Sequence, residues 1–224
     1  MKRKPKNSPG IDRTVRIDPS HPNKSDIRGA VGVLNRQGVL VFPTTGLYGL
    51  GADAFSTQAV RRVFAVKRRA QRMPLLILIS GLDEMGRVVR SAPDFARPLM
   101  ELWPGRITLI FEAKKRVPSL LTGGTGKIGI RMPAHPVAKA LVAHFGGPVT
   151  ATSANLSGSP AVSDLANLDP RIGVAVDMIL DAGILAGGAG STVLDATCWP
   201  PRMIRDGAVP RKKIEAVLGT KPSN

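Results

Sequence analysis

Short apolar runs and amphipathic stretches alternate along the chain, a pattern typical of an α/β domain. Apolar runs bounded by Gly, Pro or polar residues predict strands at residues 39–42, 75–79, 107–111, 127–131, 149–152, 178–181, 192–196 and 203–205. Apolar positions three and four apart predict helices at residues 25–37, 94–102, 135–145 and 210–218, with another beginning near Thr57. Because the two element types alternate irregularly, we expect a single α/β domain with a mixed, twisted β-sheet and flanking helices.

The two ends of the chain differ from this body. Residues 1–24 are rich in proline and charge and lack apolar periodicity, so we expect a basic, flexible N-terminal arm there. Within that arm, residues 14–17 are a candidate edge strand. The folded domain is then expected to span residues 25–219, with residues 220–224 as a tail.

Charge is the most informative feature of the composition. The 224 residues carry 32 Lys and Arg against 16 Asp and Glu, a net charge of +16. Residues 1–24 contain seven basic and two acidic side chains, so most of the excess belongs to the body. A body this basic is expected to attract polyphosphates and nucleic acid.

Other classes of site find no support in the sequence. The single cysteine, Cys198, excludes an internal disulfide, and the three histidines lack metal-ligand spacing, so we expect no metal site. No apolar run approaches the ~18 residues of a membrane span, so we expect no membrane association and a cytoplasmic location. Residues 123–127 (GGTGK) lack the flanking residues of a phosphate loop, and residues 187–190 (GGAG) do not open a helix as a dinucleotide motif does.

A cationic segment lies where the second predicted helix ends. Lys67, Arg68, Arg69 and Arg72 put four cations in six residues before Pro74. In extended backbone the side chains of Lys67 and Arg69 point the same way, so they are expected to bind one phosphate-bearing ligand together while Arg68 points away. A solvated surface cluster is the alternative interpretation.

Three further segments carry polar residues at strand ends. Ser153 and Asn155 follow one strand and can hydrogen-bond anionic oxygens or a base, although a plain turn has the same composition. Residues 43–51 follow another strand, and their three glycines permit close approach of the backbone to a ligand. Ser191 and Arg205 bracket a pair of short strands near the C-terminus.

Taken together and in order, seven segments resemble the YrdC/TsaC family over about residues 38–209. They are PTTGLYGLG at 43–51, KRR at 67–69 with Pro74-Leu75, WPG at 103–105 with Thr108, RMP at 131–133, SANLSG at 153–158, STV at 191–193 and RDG at 205–207. Each is a weak signal alone, but seven in the family's order are specific.

The resemblance implies a YrdC-like domain with a large basic concave cavity and a nucleotidyltransferase activity. The implied reaction converts L-threonine, bicarbonate and ATP to threonylcarbamoyl-AMP and pyrophosphate, the first step of tRNA threonylcarbamoyladenosine modification. The residues implied to hold ATP are Lys67, Arg69, Ser153, Asn155 and Arg205, the first two also being catalytic. Those implied to contact threonine are Thr45, Arg131 and Ser191. Mg²⁺ is expected on the phosphates, because no carboxylate cluster marks a protein-built metal site. Implied partners are downstream threonylcarbamoyl transferase proteins and tRNA or other RNA.

Departures from the family pattern keep two alternatives open. Gly46 stands where the family has Thr or Ser, Leu78 where some members have His, and Arg106 where Pro is common. The first two favour a YciO-like paralogue with an altered amino-acid substrate, whereas the +16 charge favours an RNA-binding module of the same fold. We expect Lys67 and Arg69 to face the cavity, so that Lys67→Ala or Arg69→Ala would abolish adenylate formation and leave the fold intact.

Overall fold

The computed structural model describes residues 13–223. Ten strands form one mixed sheet in the order β1-β8-β2-β3-β7-β4-β6-β5-β9-β10. The strands are β1 (Thr14–Arg16), β2 (Leu40–Pro43), β3 (Tyr48–Gly51), β4 (Leu76–Leu78), β5 (Ile107–Glu112), β6 (Lys127–Arg131), β7 (Val149–Ser153), β8 (Met178–Asp181), β9 (Thr192–Asp195) and β10 (Arg202–Arg205). The pairs β1–β8, β2–β8, β4–β6 and β5–β9 are parallel and the others antiparallel, which confirms the predicted mixed sheet.

Eight helices flank the sheet within the described residues. They are α1 (Lys24–Asn35), α2 (Thr57–Lys67), α3 (Leu82–Val88), α4 (Arg97–Met100), α5 (Ser119–Thr122), α6 (Pro136–Phe145), α7 (Pro170–Ala175) and α8 (Arg211–Leu218). Local chemistry explains their ends: Asn23 and Ser56 accept backbone N–H groups at the starts of α1 and α2, and Gly146 ends α6 in the left-handed conformation. None of these helices has the length and apolar character that a membrane span requires.

The two faces of the sheet are covered differently. One face packs against α1 and α6 through a cluster that includes Leu40, Phe42 and Val149. The other face packs against α2, α3, α4, α5, α7 and α8 around a larger cluster. Because α1 and α6 cover only part of the first face, the part formed by β4, β6, β5, β9 and β10 borders a cavity instead.

The sheet begins inside the segment assigned to the N-terminal arm. β1 pairs with β8 at the sheet edge, and Ile17 is buried beneath it. The predicted edge strand is therefore present, and a flexible arm reaching to residue 24 is wrong for this part. Ser223, in the predicted tail, forms a bridge with Arg202. Residues 1–12 and 224 lie outside the described part of the chain.

The sequence pattern missed several elements. Helices α3, α5 and α7 were not predicted, and residues 94–102 form a 3-10 turn followed by the short α4 rather than one helix. Strand β3 was also missed, because its glycines weaken the strand signal. The structure gives one of them a packing reason: a Cβ at Gly51 would lie 2.6 Å from the Phe42 ring on β2.

Candidate functional site

A cavity of about 590 Å³ lies on the sheet face that α1 and α6 leave uncovered. Small residues in the strands, Gly49, Gly129 and Ala151, form part of its floor. Its charged lining residues are the cations Arg69, Lys127, Arg131, Arg202 and Arg205 and the carboxylate Asp195. Of the eight residues assigned to the site from the sequence, five line this cavity: Arg69, Arg131, Ser153, Ser191 and Arg205. The other three do not line it: Lys67 and Asn155 are buried behind its wall, and the half-buried Thr45 contacts Arg131.

Lys67 is the last residue of α2, and its ammonium group is buried behind the cavity wall. The residue is 2% exposed, and its Nζ donates to Ser153 O (2.6 Å), Asn155 O (2.9 Å) and Asn155 Oδ1 (2.7 Å). Burial lowers the pKa of Lys67 to about 8, and the charge of Arg69 adds to the effect. The prediction that Lys67 faces the cavity is therefore wrong. Its side chain instead holds the loop after β7.

The cationic segment is not extended, as the sequence interpretation assumed. Arg68 adopts the left-handed conformation (φ 50°) as the C-cap of α2, and this turn separates the directions of its neighbours. Arg68 points away from the cavity, as predicted, while Arg69 lines it and donates to the carbonyls of Met73 (3.3 Å) and Pro74 (2.9 Å). Burial also lowers the pKa of Arg69.

Ser153 and Asn155 have different positions although they are two residues apart. Asn155 is 9% exposed, accepts from Lys67 and from the Ser153 hydroxyl, and donates its amide to the carbonyl of Ser159. These bonds occupy the Asn155 amide within the loop. Ser153 lines the cavity, so Lys67 and Asn155 together fix the residue that can contact a ligand.

Arg131, on β6, presents a nearly buried guanidinium to the cavity. It is 8% exposed, its Nε donates to Gly105 O (2.8 Å), and its Nη2 donates to Thr45 Oγ1 (3.3 Å). Burial lowers the pKa of Arg131 to about 10, and the nearby charges of Arg106 and Arg205 contribute. A guanidinium has five N–H donors, so others remain for an anion.

Ser191 and Arg205 are brought together across the end of the sheet. The Ser191 and Thr108 hydroxyls lie 2.8 Å apart, and Ser191 is 4% exposed. Arg205 donates through Nε (3.1 Å) and Nη2 (2.8 Å) to Ser191 O, and through Nη2 to Ser191 Oγ (3.1 Å). Burial lowers the pKa of Arg205. These bonds orient the Arg205 guanidinium toward the cavity.

An ion-pair group at the other end of the cavity was missed in the sequence. Lys127 Nζ lies 2.9 Å from Asp195 Oδ2, and Arg202 approaches the same oxygen at 3.8 Å. Burial alone would raise the pKa of Asp195, but hydrogen bonds from Thr197 and Lys127 outweigh it and hold the pKa below its usual value. Strand alternation could have predicted that Lys127 lines the cavity, because it lies on the same face of β6 as Arg131.

Gly46 lies at the edge of the cavity against the glycine-rich segment 187–190. Its φ is +121°, and a Cβ there would lie 2.5 Å from Gly187 O. Gly187 N donates to Gly46 O (2.9 Å), and the Arg106 guanidinium donates to the carbonyl of Ala189. This contact explains why residue 46 carries no hydroxyl side chain, and it gives Arg106 a role in holding the segment.

The second departure, Leu78, has a different explanation. Leu78 is 1% exposed within the cluster under α1 and α6, and it does not line the cavity. It does pair in register with Arg131. The apolar side chain therefore packs beside the site rather than in it.

Replacing Gly46 by serine is expected to lower the free energy of unfolding by about 2 kcal/mol, because the side chain meets Gly187 O and the positive φ is strained. Gly124→Ser is the matched control, since Gly124 also has a positive φ (81°) but no atom within 4 Å of an added Cβ. Urea unfolding of both variants is the measurement. Equal stability of the two proteins would show that the contact with Gly187 imposes no strain.

Residues 32–207 match the model of the Sua5/YciO/YrdC family, which is described as telomere recombination. The chain belongs to the Sua5/YciO/YrdC family. This confirms the resemblance that the seven motifs indicated.

Curated relatives within the family have similar names. The threonylcarbamoyl-AMP synthase of Pyrococcus abyssi is 36% identical over 194 residues, which are 86% of this chain and 57% of that protein. A putative threonylcarbamoyl-AMP synthase of Mycobacterium tuberculosis H37Rv is 36% identical over 203 residues, 90% of this chain and 93% of that protein. The chain thus spans somewhat more than half the length of the Pyrococcus relative.

Solved structures of the family confirm the fold. P. abyssi Sua5 complexed with L-threonine superposes with a TM-score of 0.89 at 34% identity, covering 96% of this chain and 63% of that one. E. coli YciO superposes with a TM-score of 0.82 at 29% identity, covering 90% of this chain and 98% of that one.

Proposed function

We propose that the cavity binds ATP, bicarbonate and L-threonine and catalyses the formation of threonylcarbamoyl-AMP with release of pyrophosphate. One observation carries this proposal: among residues 13–223, a cavity of about 590 Å³ combines five cationic side chains with one carboxylate. Its size suits a nucleotide together with a small second substrate. The names of the Pyrococcus and Mycobacterium relatives and the L-threonine complex of P. abyssi Sua5 support the choice of substrates.

We assign the phosphates of ATP to Arg69, which follows the Lys67 that holds the loop after β7, and to Arg205 at the end of β10. In the proposed reaction a carbamate oxygen forms a bond to the α-phosphorus of ATP, and the bond from that phosphorus to the pyrophosphate oxygen breaks. Arg69 and Arg205 would stabilise the negative charge on the phosphates, and the Ser153 hydroxyl would donate to a phosphate oxygen by turning away from Asn155 Oδ1. Lys67 and Asn155 would act through Ser153, because their polar atoms are bonded within the protein.

Mg²⁺ would be bound mainly by the phosphates of ATP rather than by the protein. Asp195 is the one carboxylate that the described part of the chain contributes to the lining, and Lys127 Nζ already lies 2.9 Å from it. A hard cation such as Mg²⁺ needs several oxygen ligands, so phosphate oxygens rather than this chain would provide most of them.

The amino-acid end is built around Arg131. A guanidinium fork matches a carboxylate in geometry and charge, and Arg131 is nearly buried, so its interaction with an anion is strengthened. Within the described residues the lining offers no carboxylate without a cationic partner that could pair with an ammonium group. We therefore propose that threonine reacts as its carbamate, whose two negative charges complement the cationic lining.

The decisive experiment measures pyrophosphate release by the full chain with ATP, bicarbonate and threonine, and with each omitted in turn. We expect release that requires both threonine and bicarbonate. A panel of other amino acids, with the Mycobacterium relative in parallel, tests the YciO-like alternative that Gly46 and Leu78 motivated. If no amino acid stimulates release while the relative is active, the proposed synthase activity is wrong.

The setting of this activity is part of the same proposal. Threonylcarbamoyl-AMP would pass to threonylcarbamoyl transferase proteins that modify tRNA, and the use of ATP and tRNA favours the cytoplasm. Co-purification with such a transferase from cells expressing the full chain would support it.

The pH dependence of kcat/KM is expected to fall above pH 8. The pKa of Lys67 is lowered from 10.5 to about 8, so its ammonium is protonated below that pH and loses its proton above it. A neutral amine has one donor fewer for Ser153 and Asn155, so activity should drop about tenfold per pH unit beyond the pKa. The measurement is a profile from pH 6.5 to 9.5 at constant total bicarbonate and threonine. A profile that stays flat to pH 9.5 would contradict a role for the Lys67 charge.

A further inference from the structure

A second groove lies between α2 and α7, on the side of the molecule where helices cover the larger core cluster. Its volume is about 370 Å³. It is lined by Arg62, Ala65, Val66, Arg68, Arg171 and Ala175. None of these residues lines the cavity proposed as the catalytic site, so the groove has no part in that function.

Two of its guanidinium groups are held in fixed orientations by carboxylates. Arg62 Nη2 lies 2.8 Å from Asp177 Oδ2, which also accepts from Val39 N. Arg171 pairs with Asp169 through Nε (2.9 Å) and Nη2 (2.7 Å), and Asp169 also accepts from the Arg171 backbone N–H. Both carboxylates thus have other partners, while the guanidinium groups keep N–H donors for a ligand.

The third guanidinium, that of Arg68, has no ion-pair partner among residues 13–223. Its charge reaches Asp169, whose pKa is held down mainly by Arg171 and further by Arg68. The left-handed conformation of Arg68 directs this side chain to the groove, while its neighbours Lys67 and Arg69 point toward the cavity proposed as the catalytic site and its wall.

Further arginines extend the positive charge beyond the groove. Arg61 lies one helical turn before Ala65 on the exposed face of α2. Arg13 donates to the carbonyls of Val174 and Val176 at the end of α7. Five arginines of the described chain therefore lie in or beside the groove, and two of them pair with the carboxylates Asp169 and Asp177.

We propose that the groove between α2 and α7 binds phosphate groups of an RNA backbone. Arginine forks match phosphate oxygens in pairs, and the small side chains Ala65 and Ala175 leave room for a phosphate to approach. The five arginines are spread over α2 with its C-cap, α7 and the residue before β1, more widely than one free phosphate group can contact. A chain with a net charge of +16 also has the electrostatics of a nucleic-acid binder.

The test measures RNA binding by the full chain with one doubly substituted protein and one matched control. The double variant Arg68→Gln/Arg171→Gln removes two groove cations. The control is Arg90→Gln/Arg97→Gln, which removes two exposed arginines outside the groove; Arg97, the first residue of α4, pairs with Asp94 at 3.2 Å. Fluorescence anisotropy with a labelled 20-nucleotide RNA at 50 to 200 mM salt gives the affinity and its salt slope.

We expect the double variant to bind RNA about tenfold more weakly at 100 mM salt, with the salt slope reduced by about one per arginine removed. The control should stay within about twofold of the unchanged protein. A chain lacking residues 1–12 is measured alongside, because those residues are themselves basic, and the groove effect should persist in it.

Three outcomes would overturn the proposal. The first is equal RNA binding by the double variant and the control. The second is that the double variant binds pyrophosphate more weakly than the unchanged protein at matched ionic strength but binds RNA equally well. The third is that it binds polyglutamate more weakly but binds RNA equally well. Pyrophosphate release in the catalytic assay is expected to be unchanged in the double variant, so failure of this proposal and failure of the proposed catalytic function are separately visible.

Discussion

Replacing Lys67 by methionine is expected to abolish pyrophosphate release and to lower the free energy of unfolding by about 3 kcal/mol. Methionine fills a similar volume but donates no hydrogen bonds. The backbone oxygens of Ser153 and Asn155 would lose the Lys67 donor inside the protein, and Asn155 Oδ1 would keep only the Ser153 hydroxyl. Urea unfolding and the pyrophosphate assay measure the two effects. This expectation replaces the one drawn from the sequence, in which the fold was to remain intact.

Arg69→Met is the matched control for this prediction. Arg69 lines the cavity and, among residues 13–223, donates to the backbone carbonyls of Met73 and Pro74 in a partly exposed setting. Its loss should therefore abolish activity while changing the free energy of unfolding by less than about 1 kcal/mol. If Lys67→Met is as stable as Arg69→Met and still inactive, Lys67 acts on the substrate directly rather than through Ser153.

Replacing Arg131 by alanine is expected to weaken the apparent affinity for threonine roughly a hundredfold, or about 3 kcal/mol. The guanidinium is 8% exposed, so a carboxylate bound there forms its contact away from bulk water. ATP binding should change little, since Arg69 and Ser153 contact the nucleotide in the proposed arrangement. The measurements are the KM for threonine and ATP affinity by calorimetry.

Arg131→Lys and Thr45→Val test the geometric part of this prediction. Lysine keeps the charge but loses the fork, so its effect should lie between those of the unchanged protein and the alanine variant. Thr45→Val removes only the acceptor of one Arg131 bond (3.3 Å) and should raise the KM by less than about fivefold. If Arg131→Ala loses ATP affinity and keeps its threonine KM, the assignment of Arg131 to the amino acid is wrong.

The elements that sequence reasoning located well are those with a strong local signal. The strands β5, β6 and β8 are continuous apolar or alternating runs, and α6 has proline at its start and glycine at its end. Strand β3 lacked such a signal, since Tyr48–Gly51 contains two glycines and becomes a strand by pairing between β2 and β7. The local sequence pattern does not specify which distant segments pair, so the order of the ten strands could not be predicted either.

The functional site was likewise predicted only in part. The order of the motifs was sufficient to identify the family and to name Arg69, Arg131, Ser153, Ser191 and Arg205, which the fold gathers around one cavity. It was not sufficient to separate cavity residues from supporting ones. Lys67 and Asn155 belong to the motifs, yet their polar atoms face each other behind the wall.

Lys67 and Arg69 therefore show what the sequence determined about this protein and what the tertiary structure decided. The sequence by itself determined which residue types are present, their order and the resulting positive charge, because those depend on covalent structure alone. Only the tertiary structure decided that Lys67 is buried under Ser153 and Asn155, that Arg68 turns outward and that Gly46 meets Gly187. The physical reason is that a side chain's role depends on the desolvation, acceptors and steric limits supplied by segments far away in the chain.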